Sequence, residues 1–273
     1  MTASARAMNE PPARTRGHAP VNGFEMHYEI SGQGNPAVYI HAAWGHGSVH
    51  PVLTANRRWI APDLQGHGRT PDIDRPLSFE QSADDVAALL RHLEIEQADI
   101  FGESFGGVIA MCLALRHPDL VRRLVAYGAS WNREGYPEHL LGQFIALSAE
   151  DDAVRFQRDH FRKVAPDPAR WPILFDKVHK IAWNGFSRSE LQSIEAPVLI
   201  AIGDRDWLRL EHVLELFRLI PNAQLAVIPD AGHFLLYTEP GRLLPVVEAF
   251  LDAPATRLPL ATPKSGYQPG ITR

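Results

Sequence analysis

The sequence has one cysteine, Cys112, among 273 residues. That excludes a disulfide within the chain and suits a reducing compartment, so a cytoplasmic protein is expected. Long apolar runs are also missing. No stretch approaches the ~18 residues of a membrane span. The N-terminal stretch MTASARAMNEPPARTRGHAP has arginines but no apolar segment of the kind a secretory leader carries. Positive charge is not in excess: 27 Lys and Arg stand against 32 Asp and Glu, a formal net charge of −5. With no basic stripe interleaved with aromatics, the pattern argues against nucleic acid as a partner. Thirteen histidines are present but scattered. His41, His46 and His67 fall in separate loops without ligand spacing, so no metal and no cofactor are expected.

What is present is an ordinary globular composition, 45% hydrophobic and 22% charged. Strand-length runs rich in Val, Ile and aromatics occur at Phe24–Ile30, Ala37–His41, Arg58–Pro62, Ala98–Gly102, Leu124–Gly128, Pro197–Gly203 and Gln224–Pro229. Helical spacing lies between several of them. Ala83, Val86, Ala87 and Leu90 follow a possible capping box at Ser78 and Gln81. Leu210, Val213, Leu214 and Phe217 repeat the spacing, as do Leu243, Val246, Val247 and Phe250. This alternation predicts an α/β fold with a mostly parallel, twisted sheet covered on both faces. The first two strands, linked only by SGQGNP, are expected to pair antiparallel.

One region breaks the rhythm. Residues 131–191 hold helical stretches and prolines but no convincing strand, and read as an inserted helical lobe. The expected organisation is a disordered segment over 1–20, a core over 21–130 and 192–252, the helical insertion over 131–191, and a flexible tail over 253–273. The lobe's aromatics include Phe144, Phe156, Trp171 and Phe175; most of the set is expected to pack together, and a few to line a cavity beneath. Cys112, inside the apolar helix after residue 104, reads as a small buried hydrophobe.

The chemistry concentrates at Gly102-Glu103-Ser104-Phe105-Gly106. A strand precedes it and a helix follows, which is the setting of a G-x-S-x-G nucleophile elbow. Glycines flank the serine because side chains there would strike the neighbouring strand or helix. The serine then projects at a helix N-terminus, whose positive end favours an attacking alkoxide and an oxyanion. A serine hydroxyl needs a base. After the lobe, the strand PVLIAIG ends in Asp204-Arg205-Asp206. The next strand ends before Asp230-Ala231-Gly232-His233-Phe234. Two histidines follow Asp206. His212 sits in a helical pattern and is expected to face solvent, whereas His233 stands just past a strand, where a base belongs.

These residues resemble the α/β-hydrolase superfamily over about 21–252. Three further stretches carry the resemblance: IHAAWGHGS stands at an H-G-x-x-G-type oxyanion loop, APDLQGHGRT matches a D-L-x-G-H-G segment, and ALRHPDLVRRLV matches the segment after the elbow helix. The resemblance implies Ser104 as nucleophile, His233 as base and then acid, and Asp206 as the carboxylate that orients His233, with Asp204 the competing acid. It also implies an oxyanion hole from the N–H groups of Ala43 and Phe105. Two departures stand out: Ala42 replaces the usual glycine, and the link from His41 to Trp59 is short. His41 and His67 are expected to fix loops; His46 is left without a role.

Candidates for the walls of a substrate pocket are Trp44, Glu103, Trp131, Trp183, Trp207 and Phe234. The implied activity is a serine hydrolase acting on a hydrophobic small-molecule ester or lactone. The same scaffold also supports carbon–carbon bond hydrolases, perhydrolase activity and small-molecule receptors that retain the triad. Carbon–carbon hydrolases commonly follow the histidine with tryptophan, where this chain has Phe234.

Overall fold

The computed structural model describes residues 14–48 and 56–254. Eight strands form its sheet: β1 (Arg14–Val21), β2 (Phe24–Ser31), β3 (Asn35–Ile40), β4 (Arg57–Pro62), β5 (Ala98–Glu103), β6 (Val121–Tyr127), β7 (Val198–Gly203) and β8 (Ala223–Ile228). Their order across the sheet is β1-β2-β4-β3-β5-β6-β7-β8. From β4 to β8 all neighbours run parallel; β1 with β2 and β2 with β4 run antiparallel.

The pleat sorts side chains between two cores. Val38 and Ile40 of β3 and Ile100 of β5 point to the face covered by helices α1 (Phe79–His92), α2 (Phe105–Arg116) and α7 (Leu210–Leu219). Tyr39, Phe101 and Tyr127 point the other way, onto the short α8 (Leu235–Thr238) and α9 (Pro240–Asp252). Cys112 is buried within α2. Ser78 caps α1 by accepting from the Gln81 N–H at 3.1 Å. The Gln81 side chain turns instead to Asp85, so only half of the expected capping box forms.

Two expectations fail here. Residues 14–20 are not disordered: with Val21 they form β1, paired residue for residue with β2 from Arg14–Ser31 to Val21–Phe24. Residues 1–13 and 255–273, the rest of the expected flexible ends, lie outside the described residues. The turn Asn22-Gly23, with φ of 42° and 96°, closes that hairpin. The expected antiparallel pair of β2 with β3 does not form either. β4 lies between them, antiparallel to β2 and parallel to β3. Gly32 and Gly34, at φ 80° and 107°, step the chain across the gap, and a Cβ on Gly34 would stand 2.7 Å from the Asn56 carbonyl at the entrance to β4. The link between β2 and β3, only residues 32–34, thus spans a strand instead of making a hairpin.

Between β6 and β7 the chain runs through α3 (Glu138–Ala146), α4 (Arg155–Val164), α5 (Trp171–His179) and α6 (Arg188–Gln192), with short 3-10 turns. Aromatic packing joins this excursion to the loop after β3. Trp44 stacks on Phe175 at 5.1 Å and 7°, and also meets Phe144, Trp171 and His179. Asp72 adds an ionic tie, with its carboxylate 2.8 Å from Arg170 and 2.7 Å from Lys177. Phe156 lies 76% exposed.

Candidate active site

β5 delivers Ser104 into a turn that few residues adopt. Its φ is 52° and ψ −111°, outside the regions open to most side chains. The turn is held by the Ser104 N–H, which donates to Tyr127 O at 2.7 Å, and by the Gly107 and Val108 N–H groups, which donate to Ser104 O. The flanking glycines have a steric cause. A Cβ on Gly102 would collide with the Gly106 carbonyl, and one on Gly106 with the Ile40 carbonyl. α2 therefore starts tight against the end of β3, and Ser104 stands at its N-terminus.

β7 and β8 bring the other two residues to the same rim. His233 Nε2 lies 2.9 Å from Ser104 Oγ. Its Nδ1 lies 2.9 Å from Asp206 Oδ1 and 3.1 Å from Oδ2. The Asp206 side chain is fully buried and also accepts from the Leu208 N–H. This arrangement has Ser104 donating to Nε2 and Nδ1–H donating to the carboxylate. Asp204, by contrast, is exposed and accepts from the Ala231 N–H at 3.2 Å. The N–H groups of Asp230 and Ala231 hold its carboxyl below the usual range. The two aspartates of one turn thus have separate partners. Of the two, Asp206 reaches His233 and Asp204 does not.

Residues 37–246 match the profile of the alpha/beta hydrolase family. The chain belongs to that family. It is 33% identical over 261 residues to the pimeloyl-[acyl-carrier protein] methyl ester esterase of Neisseria meningitidis, covering 84% of this chain and 82% of that one. It is 29% identical over 272 residues to the 2-hydroxymuconate semialdehyde hydrolase of Pseudomonas putida, covering 84% and 91%. Among solved structures it resembles Est816, described as an N-acyl homoserine lactone degrading enzyme, with a TM-score of 0.70, 28% identity and coverage of 85% and 99%. Its relatives in the alpha/beta hydrolase family are thus hydrolases of several bond types.

The loop after β3 starts beside the elbow, where a Cβ on Gly106 would meet the carbonyls of Ile40 and His41. His41 is buried, with Nδ1 donating to Ala42 O at 2.8 Å and Nε2 accepting the Leu64 N–H at 3.2 Å. Both ring nitrogens are used by a neutral imidazole, and burial pushes its pKa down to about 3. His67 is likewise buried, donating to Gln65 O, and is pushed down to about 4 by burial. Ala42 is accommodated because it needs no left-handed backbone. The loop's positive φ, 56°, falls on Trp44. His46 packs on His160 of α4 with ring centroids 3.9 Å apart. The N–H groups of Ala43 and Phe105 have no hydrogen-bond partner among the described residues. Residues 49–55 of the short link to Trp59 lie outside the described residues.

The six pocket candidates divide. Trp207 and Phe234 stand at the rim, 45% and 46% exposed. Trp183 packs edge-on against Phe79, which meets Phe105 at 4.8 Å. Trp44 is instead buried among the aromatics of α3 and α5. Trp131 is buried against His212, with the rings stacked at 5.0 Å and 9°. Glu103 points away from the serine because it follows Phe101 on the same face of β5. Its Oε2 accepts from Tyr39 and from Tyr237, the latter at 3.0 Å. Burial raises its pKa although both phenols favour the ionised form.

His212 is a correction. It does not face solvent: it is buried, with Nε2 3.0 Å from Ser130 Oγ and 3.3 Å from the Trp131 N–H. α7 turns this side toward the segment after β6, a packing that helical spacing alone does not reveal. Two residues at the site escaped the sequence reading. Tyr127 donates its hydroxyl to His233 O at 2.9 Å. Gly128, at φ 58°, passes so close that a Cβ would stand 3.1 Å from His233 Cε1. A glycine just past the apolar run of β6 was the available signal. Gly128→Ala is expected to displace the imidazole and lower kcat by roughly tenfold to a hundredfold. Steady-state kinetics with an unchanged circular dichroism spectrum is the check.

The buried histidines also set an acid limit on stability. Burial lowers His41 to about 3 and His46, His67 and His212 to about 4, from an ordinary 6.5. The unfolded chain therefore takes up protons first as pH falls. The histidines' contribution to stability is expected to be full well above pH 6.5 and to decline toward pH 4, by about 1–2 kcal/mol per histidine at pH 5. Calorimetry should show Tm falling between pH 7 and 5, and His212→Gln should flatten that slope.

Proposed function

We propose that the chain is a serine hydrolase that cleaves an ester or lactone bond of a hydrophobic small molecule through an acyl-enzyme. The observation that carries this reading is the continuous hydrogen-bonded series from Ser104 Oγ through His233 to the buried Asp206 carboxylate. His233 Nε2 takes the Ser104 proton as Oγ attacks the carbonyl carbon. Asp206 holds the Nδ1–H tautomer and balances the charge on the imidazolium. The N–H groups of Ala43 and Phe105 receive the oxyanion, each such donor being worth ~3 kcal/mol in the transition state. The tetrahedral intermediate collapses as His233 returns its proton to the departing alkoxide. Water, deprotonated by His233, then adds to the acyl-enzyme, and the second tetrahedral intermediate breaks its bond to Ser104 Oγ as His233 returns the proton to it, releasing the acid.

The relatives that are named as a methyl ester esterase and a lactone-degrading enzyme support this bond class. Hydrophobic specificity is supported by Phe105, packed on Phe79 and through it on Trp183, and by the exposed ring of Phe234. The test is turnover of a panel of p-nitrophenyl acyl esters and acyl lactones of graded chain length. Hydrolysis that improves with acyl length supports the reading, and uniform inertness of the panel overturns it.

Carbon–carbon bond hydrolysis is the second reading, supported by the relative named as a 2-hydroxymuconate semialdehyde hydrolase. It predicts bleaching of a 2-hydroxy-6-oxodienoate chromophore faster than cleavage of any simple ester. A chain that leaves both panels untouched yet melts higher with a panel compound present would be a receptor.

A further inference from the structure

The ring of His233 is held on more sides than a proton relay needs. Asp206 and Ser104 engage its two nitrogens in the plane of the ring. Gly128 closes the Cε1–Nδ1 side, and Tyr127 fixes the backbone carbonyl. Trp207, the residue directly after Asp206, covers a face. Its ring centroid lies 4.3 Å from that of His233 and the planes differ by 14°. Phe234 meets both rings edge-on, at 89° to Trp207 and 82° to His233. Trp207 keeps this place on the ring while 45% exposed.

We propose that Trp207 is a positioning residue for His233: its indole face fixes the imidazole in the plane set by Asp206 and Ser104 and stabilises the imidazolium formed when Ser104 gives up its proton. The inference rests on the proposed serine hydrolase mechanism. An indole face is the most electron-rich of the protein aromatics, and a cation stacked on it within ~6 Å is attracted by the ring quadrupole. The neutral imidazole gains only dispersion from the same contact. The stack therefore favours the state reached during proton transfer over the resting state, which is the condition for a contact to accelerate a step. It also withstands the swing of the ring that would break either in-plane hydrogen bond.

The other charged groups near the ring have partners of their own, apart from Trp207. Asp206 lies at Nδ1 in the turn after β7. Glu103 lies behind Ser104 at the end of β5, bound to Tyr39 and Tyr237. Arg205 and Asp230 pair with each other at 3.0 Å on the exposed side, and Asp204 accepts from Ala231.

The test compares Trp207→Leu with Trp207→Phe. Leucine keeps apolar contact without a π face, and phenylalanine keeps a smaller π face. In the resting protein labelled with 13C at histidine Cε1, with the His233 signal assigned by its loss in His233→Gln, NMR titration reads protonation directly. Trp207→Leu should move the midpoint of His233 to lower pH by about half a unit, and Trp207→Phe by less. With an ester substrate, Trp207→Leu should lower kcat about threefold at its plateau while the acidic limb of the profile moves to lower pH and KM stays within twofold. A rim residue that only touches substrate would raise KM and leave the titration where it was. An unmoved midpoint in Trp207→Leu, or equal shifts in both variants, overturns the proposal. The titration needs no turnover, so inertness toward every ester would count against the hydrolase reading while the NMR result still decides the role of Trp207.

Discussion

Ser104→Ala is expected to lower kcat/KM by about 10⁴-fold or more toward whichever ester the wild-type chain cleaves best. Removing the nucleophile of such a triad leaves only what binding and the oxyanion donors contribute. The substitution removes one hydroxyl from a partly exposed side chain and leaves the backbone bonds to Tyr127, Gly107 and Val108 in place. Melting temperature should therefore change by no more than a degree or two. Ser104 also sits at φ 52°, a conformation with a steric cost for any residue with a Cβ, so alanine neither relieves nor adds strain there. A fluorophosphonate probe should label wild type at Ser104 and leave both Ser104→Ala and His233→Ala unlabelled. Full hydrolysis by Ser104→Ala would remove the serine from the mechanism.

The second large effect is Asp206→Asn, which is expected to cost about 10⁴-fold in kcat, against less than about threefold for Asp204→Asn. An amide at position 206 presents an N–H where His233 Nδ1–H needs an acceptor. The imidazole then takes the other tautomer and puts a proton on Nε2, the atom that must accept from Ser104. The amide also removes the buried charge that balances the imidazolium. Asp204 makes its hydrogen bond to a backbone N–H in an exposed turn, and asparagine can keep that bond. Kinetics of the two variants at one pH, with melting curves to confirm folding, separates the roles. The reverse ranking would make Asp204 the acid.

Local features of the site were readable because each has a local cause. Gly102 and Gly106 announce an elbow, since no other residue fits beside the carbonyls of Gly106 and Ile40. Asp206 and His233 each follow a short apolar run, and parallel strands of one sheet bring their carboxyl ends to one rim. Order and spacing along the chain carried that much. Strand neighbours were less legible. β1 begins with Arg14, Thr15 and Arg16, too polar to read as a strand, and is held by the ladder it shares with β2. The short stretch SGQGNP suggested a hairpin, but β4 competes for the same edges and wins both. Pairing is decided by which strands compete for an edge, and the competitor lies some twenty residues downstream.

The same division holds for individual side chains. Helical spacing placed His212 on α7 but could not say which elements α7 would meet, and the structure turns that histidine onto Ser130 and Trp131. Trp44, Trp131 and Trp207 look alike in sequence, each an aromatic near a loop of the site. Packing buries the first among the aromatics of α3 and α5 and the second against His212. The third is left half exposed on the face of His233. The sequence by itself determined the α/β alternation, the elbow, and the order serine, aspartate, histidine, because backbone sterics and hydrophobic periodicity act over a few residues. Tertiary structure alone decided which strands are neighbours, which aspartate reaches His233, and which tryptophan covers its ring. Those outcomes depend on contacts between segments far apart in the chain, whose geometry is set only when the whole sheet has closed its register.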